Sequence, residues 1–285
     1  MVDSIVQAQN AARETWENLT ITNDFVFCKA MQNTELCREV IEAILGIPIE
    51  RVVRVDRQEV LDAGPGDKGV RLDVYARDSN GRAFDVEMQA AAAPELLKRA
   101  RYYHAMMAID QLDRGGTYKD LTDSYVIFIC AFDPLKRNRR VYSFRNVCLQ
   151  ESDLDADDGA RTVFLAATSP REGGDGDRLD ELLDYVASGE VGGGLSARLD
   201  AEVARVLGNQ TWRREYMLLE MKYRMEREAG REEGREELRS CLSKLTDALV
   251  ADNRLEDVQR AIRDEACFES LCREYGITRD DPALR

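Results

Sequence analysis

The sequence predicts an α/β fold followed by a helical C-terminal extension, and three observations carry that expectation. Residues 70–77 and 84–89 each alternate apolar and polar side chains, the period-two pattern of strands with one buried face. Tyr125 to Cys130 is an unbroken apolar run, as expected of a strand covered on both sides. Helix-type spacing precedes the first strands and separates the second alternating strand from the apolar one. The order helix, three strands, helix, strand describes one α/β layer.

Taken in chain order, residues 1–18 are polar and read as a weakly helical lead-in. The first firm helix starts at Thr22-Asn23-Asp24, whose side chains can accept from exposed amides at a helix start, and runs to Gly46 and Pro48. Cys37, Val40, Ile41, Ile44 and Leu45 form its buried stripe. Val52, Val53, Val55 and Val60 predict a strand over 51–61 with Glu59 near its end, followed by a loop at Gly64-Pro65-Gly66. In the first alternating strand Asp73 faces away from the core; in the second, Phe84, Val86 and Met88 point inward and Asp85, Glu87 and Gln89 outward.

The turn between them decides whether these faces match. As a three-residue loop with Gly81 left-handed, Ser79-Asn80-Gly81 pairs residue 78 with 82 and sets Asp73 opposite Glu87. A two- or four-residue loop sets them on opposite faces. Asn-Gly at the second and third loop positions favours the three-residue form, because glycine takes a positive φ without penalty.

Pro94 opens a helix to about Arg114, stopped by Gly115-Gly116, with Arg99, Tyr103, Met106 and Asp110 along one side. Residues 141–168 add two edge strands. Leu179, Leu182, Leu183 and Val186, then Leu195, Leu199, Val203 and Val206, mark helices. Farther on, the tetrad Gly-Arg-Glu-Glu repeats over 230–237, and Leu238, Leu242, Leu245 and Leu249 recur at coiled-coil spacing. This tail helix is either a homodimer surface or an amphipathic helix folded back on its own domain, the two being equally supported. A final helix uses Leu255, Val258, Ile262, Leu271 and Tyr275. The chain thus divides into a lead-in 1–18, a core 19–170, a helical extension 171–225 and an amphipathic tail 226–285.

Composition narrows the function classes. No apolar run approaches the roughly 20 residues of a membrane helix, and the start Met1-Val2-Asp3-Ser4 lacks the basic residues of an export signal, so a cytoplasmic protein is expected. Seven scattered cysteines without a CxxC pair and a single histidine, His104, read as reduced thiols and a structural ring rather than a zinc site. The net charge of −14 is awkward for a partner that is a polyanion. It is unevenly spread: residues 94–149 are net positive, and Lys98, Arg99, Arg101, Lys136, Arg137, Arg139, Arg140 and Arg145 either flank a phosphate-bearing groove or form an ordinary solvated surface.

The chemistry centres on Asp73, Glu87 and Gln89. Phosphodiester cleavage needs an attacking hydroxide, in-line geometry and stabilisation of charge on the leaving oxygen, all of which a divalent ion supplies. Two carboxylates on adjacent strands suit Mg²⁺, which takes hard oxygen ligands and keeps several waters. The Met88 carbonyl is a candidate third ligand, and Gln89 can hold the nucleophilic water. Glu59 either completes a second metal site or is a solvent-facing acid. Arg99 and Tyr103 either contact phosphate and order Gln89 or serve packing and a surface ion pair. Asp24 is within the same argument, although helix capping explains it more simply.

These stretches carry a resemblance. LTITNDFVFCK (19–29), DKGVRLD (67–73), DVEMQ (85–89), KRARYY (98–103), SYVIFICAFDP (124–134) and WRREYM (212–217) resemble the PD-(D/E)XK superfamily, and within it the Rpn recombination-promoting nucleases, also described as PD-(D/E)XK nuclease family transposases. The resemblance implies a restriction-endonuclease-like αβββαβ core and a metal-dependent DNA endonuclease that promotes recombination, with Mg²⁺, or Mn²⁺ in its place. Asp73 and Glu87 match the metal-binding acids. Gln89 stands where the wider superfamily has lysine, and an amide can neither carry a charge nor act as a base, which leaves more of the transition-state stabilisation to the metal. The alternative from a different class is a catalytically silent binding module with a nuclease-like fold.

Overall fold

The computed structural model describes residues 16–61, 70–93, 95–112, 115–151, 153–171 and 177–277, with backbone alone for residues 54 and 56–61. The chain divides into two compact units, Met1–Tyr216 and Met217–Arg285. The boundary falls inside a continuous helix, somewhat before the change of composition near residue 226.

The first unit opens with two helices where one was expected, α1 (Asp24–Ala30) and α2 (Thr34–Leu45). The break is written in a second cap: Asn33 accepts from Leu36 N–H at 3.2 Å and starts a new helix, just as Asn23 starts the first by accepting from Val26 N–H. Gly46, with φ of 65°, closes α2. Of the polar lead-in, residues 1–15 lie outside the described residues, as do the expected loop at 64–66, Pro94 and Arg114. Trp16 is buried, and its ring packs on Phe25 and Tyr216.

Among the described residues six strands form one mixed sheet in the order β1-β2-β3-β4-β6-β5: β1 (Val52–Leu61), β2 (Val70–Asp78), β3 (Ala83–Gln89), β4 (Ser124–Cys130), β5 (Val141–Phe144) and β6 (Ala160–Ala166). The first three are antiparallel, β4 is parallel to β3, and β6 is parallel to β4. Only β5 is the expected edge strand; β6 is interior, because its apolar half, Val163 to Ala166, is buried between β4 and β5.

A parallel β3–β4 pair requires a crossover, and α3 (Leu96–Gln111) supplies it. Its Leu96, Ala100, Tyr103, Met106 and Met107 cover the sheet face that carries Tyr75, Ala83, Val126, Phe128 and Phe164. Tyr103, Phe128 and Phe164 stack in succession across that face, with centroids 6.2 and 5.1 Å apart. Helix α1 packs on β1 to β3, and α4 (Arg178–Ser188) and α5 (Gly194–Leu207) complete the layer with α2. A mixed α/β fold with a helical C-terminal part is the outcome, as expected.

Helix α6 (Gln210–Ala251) leads into the second unit, with α7 (Leu255–Arg263) and α8 (Glu265–Glu274) where one final helix was expected. Asp264 ends α7 and caps α8 through its carboxylate, which accepts from Ala266 and Cys267 N–H. Cys241, Leu245 and Leu249 of α6 are buried against Ala261 of α7 and Phe268, Leu271 and Cys272 of α8. The C-terminal part of the leucine stripe is therefore covered from within its own unit, the second of the two readings of the tail. No helix among the described residues is long and apolar enough to cross a membrane. None of the seven cysteines is in a disulfide.

Candidate active site

The site begins with the turn. Gly81 takes φ of 82°, Gly81 N–H donates to Asp78 O, and Asp78 N–H donates to Arg82 O at 3.1 Å, so residue 78 pairs with 82 in a three-residue loop. The buried Asp78 carboxylate fastens the turn by accepting from the N–H groups of Asn80 and Arg82 and from the Arg82 guanidinium at 2.6 Å. A Cβ on Gly81 would meet the Thr122 methyl at 3.1 Å, so both φ and space favour glycine.

From this turn the β2–β3 ladder runs to Val74–Val86 and ends. One residue farther, Asp73 N–H no longer meets a strand carbonyl; it donates to Glu87 Oε1 at 3.0 Å. The register extended from the turn makes Asp73 and Glu87 opposite partners, and the opening of the ladder lets the Glu87 side chain enter between the strands. Asp73 is half-buried and Glu87 is 2% exposed.

The face expected to be wet is covered. Ala83, Asp85 and Glu87 share one side of β3, and α3 lies over it, so Asp85 is fully buried instead of solvated. From α3, Arg99 reaches down: Nη2 donates to Glu87 Oε2 at 2.9 Å and to Tyr103 Oη at 2.9 Å, and Nη1 donates to Gln89 Oε1 at 3.3 Å. The guanidinium also sits over the rings of Tyr103 and Phe128, each 5.5 Å away. Tyr103 and Arg99 are four residues apart and so share one helix face. Gln89 Nε2 donates to Met88 O at 3.2 Å, which already engages the carbonyl expected as a third ligand.

With Arg99 as the cation hydrogen-bonded into the cluster, three acids are left short of positive charge. Burial, then the charge of Asp24, raises the Asp73 carboxyl to about 6. Burial and the neighbouring Asp73 raise Glu87 to about 8, against the opposing pull of Asp73 N–H and Arg99. Asp85 is raised well above the ordinary carboxylate range by burial and by the charges of Glu87 and Asp73. No backbone or basic donor faces either oxygen of Asp85, whose one hydrogen-bonding neighbour among the described residues is the Glu87 carboxyl, reached by a proton held on Asp85.

Two residues carry more than their sequence pattern shows. Asp85 reads as a wet-face acid, and its shared parity with Glu87 is the signal that places it beside that residue. Asp24 reads as a cap, yet Asn23 does the capping and the Asp24 charge bears on Asp73. Of the supporting residues, Arg99 and Tyr103 join the cluster. Glu59 pairs through its backbone with Leu72, and its side chain lies outside the described residues. His104 is packed elsewhere, between the hydroxyls of Ser124 at 2.8 Å and Thr162 at 3.0 Å.

Four of the eight residues of the expected basic flank stand in ion pairs, Arg99 with Glu87 among them. Arg140 is buried against Asp180 and Asp184, Arg145 pairs with Asp155 at 2.6 Å, and Lys98 pairs with Glu95 at 2.7 Å. A cleft of about 400 Å³ lined by Thr20, Thr22, Asn23, Asp24, Met88 and Ala90 opens where β3 ends. A second, of about 450 Å³, lies toward the β5 edge between Tyr125, Phe144 and Arg161, away from the acids.

No group of three or more His, Cys, Asp or Glu side chains among the described residues stands within reach of one metal ion. Glu87 has both oxygens engaged, by Asp73 N–H and Arg99. The donor chemistry nevertheless suits a hard divalent ion: carboxylate oxygens, unbalanced negative charge, and two oxygens on Asp85 that no backbone or basic donor faces.

The fold is a mixed sheet in which Asp73 and Glu87 come together at the open end of a hairpin beneath the crossover helix. Over residues 21–157 the chain matches the family model described as PD-(D/E)XK nuclease family transposase. Such nucleases generally use divalent metals, usually Mg²⁺, and the family points to a nuclease-type function. No curated protein and no solved structure matches the chain.

Proposed function

We propose that the protein is a divalent-metal-dependent endonuclease that hydrolyses DNA phosphodiester bonds and thereby promotes recombination, with Mg²⁺ as the usual ion and Mn²⁺ able to replace it. The observation that carries the reading is the meeting of Asp73 and Glu87 where the β2–β3 ladder opens, linked by Asp73 N–H to Glu87 Oε1 at 3.0 Å. Asp73 and Glu87 would hold the ion, with the Asp24 charge adding to the local negative field. Once bound, the ion supplies an activated water and a counter-charge for the leaving oxygen.

The chain's own groups do the positioning. Gln89 lies on the Glu87 face and can orient a water through its amide. Arg99 holds Glu87 and Gln89 in one arrangement, and Tyr103 fixes the guanidinium from the next turn. Arg99 is also the cation placed to meet a phosphate, in a site where the usual lysine is replaced by Gln89. It keeps one side open for that, being 33% exposed.

Incubation of supercoiled plasmid with the purified full-length chain tests this. Mg²⁺-dependent nicking is expected from the wild type, with a loss of at least about a hundredfold in Asp73→Ala and Glu87→Ala. Equal nicking by folded Asp73→Ala would refute the assignment.

The second reading, a silent nuclease-fold binding module, is favoured by the absence of a lysine at position 89 and by Glu87 having both oxygens engaged. It expects no Mg²⁺ or Mn²⁺ binding by calorimetry.

A further inference from the structure

Asp85 is the least explained polar group in the first unit. It is fully buried, it lies two residues before Glu87 on the same face of β3, and no backbone or basic donor faces its oxygens, which leaves the neighbouring Glu87 carboxyl as their partner. A charged carboxylate left without a partner in a protein interior is costly enough that native folds rarely keep one without a cation or a functional reason. Its cross-strand neighbour Tyr75 offers nothing, because that hydroxyl is committed to Asp110 at 2.9 Å. Nor does Arg99 serve it, having its donors on Glu87, Gln89 and Tyr103. Two carboxylates cannot hydrogen-bond to each other unless they share a proton, so Glu87 satisfies Asp85 only at the expense of a charge.

We infer that Asp85 is a third carboxylate of the cation site, acting on the ion through its bound water and through Glu87 rather than as a third direct ligand. The inference rests on the proposed metal site. It fits the lack, among the described residues, of any three acidic side chains within reach of a single ion. It also fits the ion: Mg²⁺ and Mn²⁺ sites with few protein ligands retain waters, and those waters need acceptors. Outer partners of this kind commonly alter metal affinity by about 10- to 100-fold. The oxygens of Asp85, beneath α3 and beside Glu87, are acceptors of this description. They exceed what folding alone calls for, since asparagine of the same shape would fill the place without a buried charge.

Calorimetric titration of Mn²⁺ into the full chain tests it, comparing wild type, Asp73→Asn and Asp85→Asn, with thermal melting in the absence of metal. Asp85→Asn is expected to bind Mn²⁺ at least about tenfold more weakly while its metal-free melting temperature stays level or rises. Wild-type affinity in Asp85→Asn, with binding lost in Asp73→Asn, overturns this inference and leaves the proposed function intact. An absence of binding by the wild type removes both. Should the asparagine variant fail to fold, Asp85→Ser carries the same comparison, and unchanged Mn²⁺ affinity there overturns the inference equally.

Discussion

Two buried ionic clusters lie in the same unit and are built on opposite principles. Around Arg140, which is 4% exposed, two acids face one guanidinium: Nε pairs with Asp180 at 2.9 Å, Nη2 pairs with Asp184, and Nη1 donates to Ser169 O. Arg171 adds a second cation to Asp184. Burial pushes the Asp184 carboxyl up, but hydrogen bonds from Arg140 and Arg171 outweigh it and the group ends below its ordinary value. Around Glu87 the balance is lost, and three acids gather about Arg99. There the carboxyls end high, at about 6 for Asp73 and about 8 for Glu87. The Arg140 cluster sets two guanidiniums against two acids, although burial still raises Asp180, whereas this one gathers more buried carboxyls than its guanidinium can balance. The excess is what a divalent ion or a catalytic role would use.

The comparison can be broken from either side, and the largest effect is expected at Arg140. Arg140→Met should destabilise the first unit by about 3–5 kcal/mol in urea unfolding, because it strands Asp180 and Asp184. A loss of under about 1 kcal/mol would show that the pair is not a balanced structural device.

The buried histidine gives a smaller and pH-dependent effect. Burial lowers the His104 ring to about 4, from an ordinary value near 6.5. The folded state therefore binds this proton less readily than the unfolded chain. The stability it contributes is complete above about pH 6.5 and is lost as pH falls toward 4, by roughly 2–3 kcal/mol. His104→Gln should flatten that acid limb, and an unchanged limb would show that the ring does not set it.

Glu87→Gln should act in the opposite direction to Arg140→Met. A carboxyl raised to about 8 in the fold stabilises only below its unfolded value near 4.5, and the contribution is lost as pH rises through 8. The metal-free variant should thus melt higher than wild type at pH 8 and level with it at pH 4, since glutamine can still accept from Asp73 N–H. A lower melting temperature at pH 8 would mean that the Arg99 ion pair outweighs the cost of the buried charge.

The smallest effect concerns the register that creates the cluster. Gly81→Ala should cost about 1–2 kcal/mol, from the positive φ and the approach to Thr122. It should lower metal-dependent nicking if the turn slips, and equal stability would show that the turn does not set the pairing.

Local rules reach far in the hairpin. Period-two alternation identifies β2 and β3, and the Asn80-Gly81 pair specifies a loop whose length sets Asp73 against Glu87. The apolar run identifies β4 for the same reason, since strand patterns and turn chemistry involve neighbours in the chain. The signal is weaker where a cap is hidden within an apolar pattern, as at Asn33, and where a strand's place in the sheet depends on distant partners, as for β6.

By itself the sequence determined the order of the first four strands and the crossover helix, the turn, and the two acids that face each other beyond it, because each follows from spacing along the chain. Only the tertiary structure decided what covers that face. The crossover helix lays Arg99 and Tyr103 over β3, which turns Asp85 and Glu87 from apparently solvated acids into buried ones. Alternation records which residues share a side of a strand, but it cannot say whether water or a helix lies above them, and that difference sets the charge balance of the site.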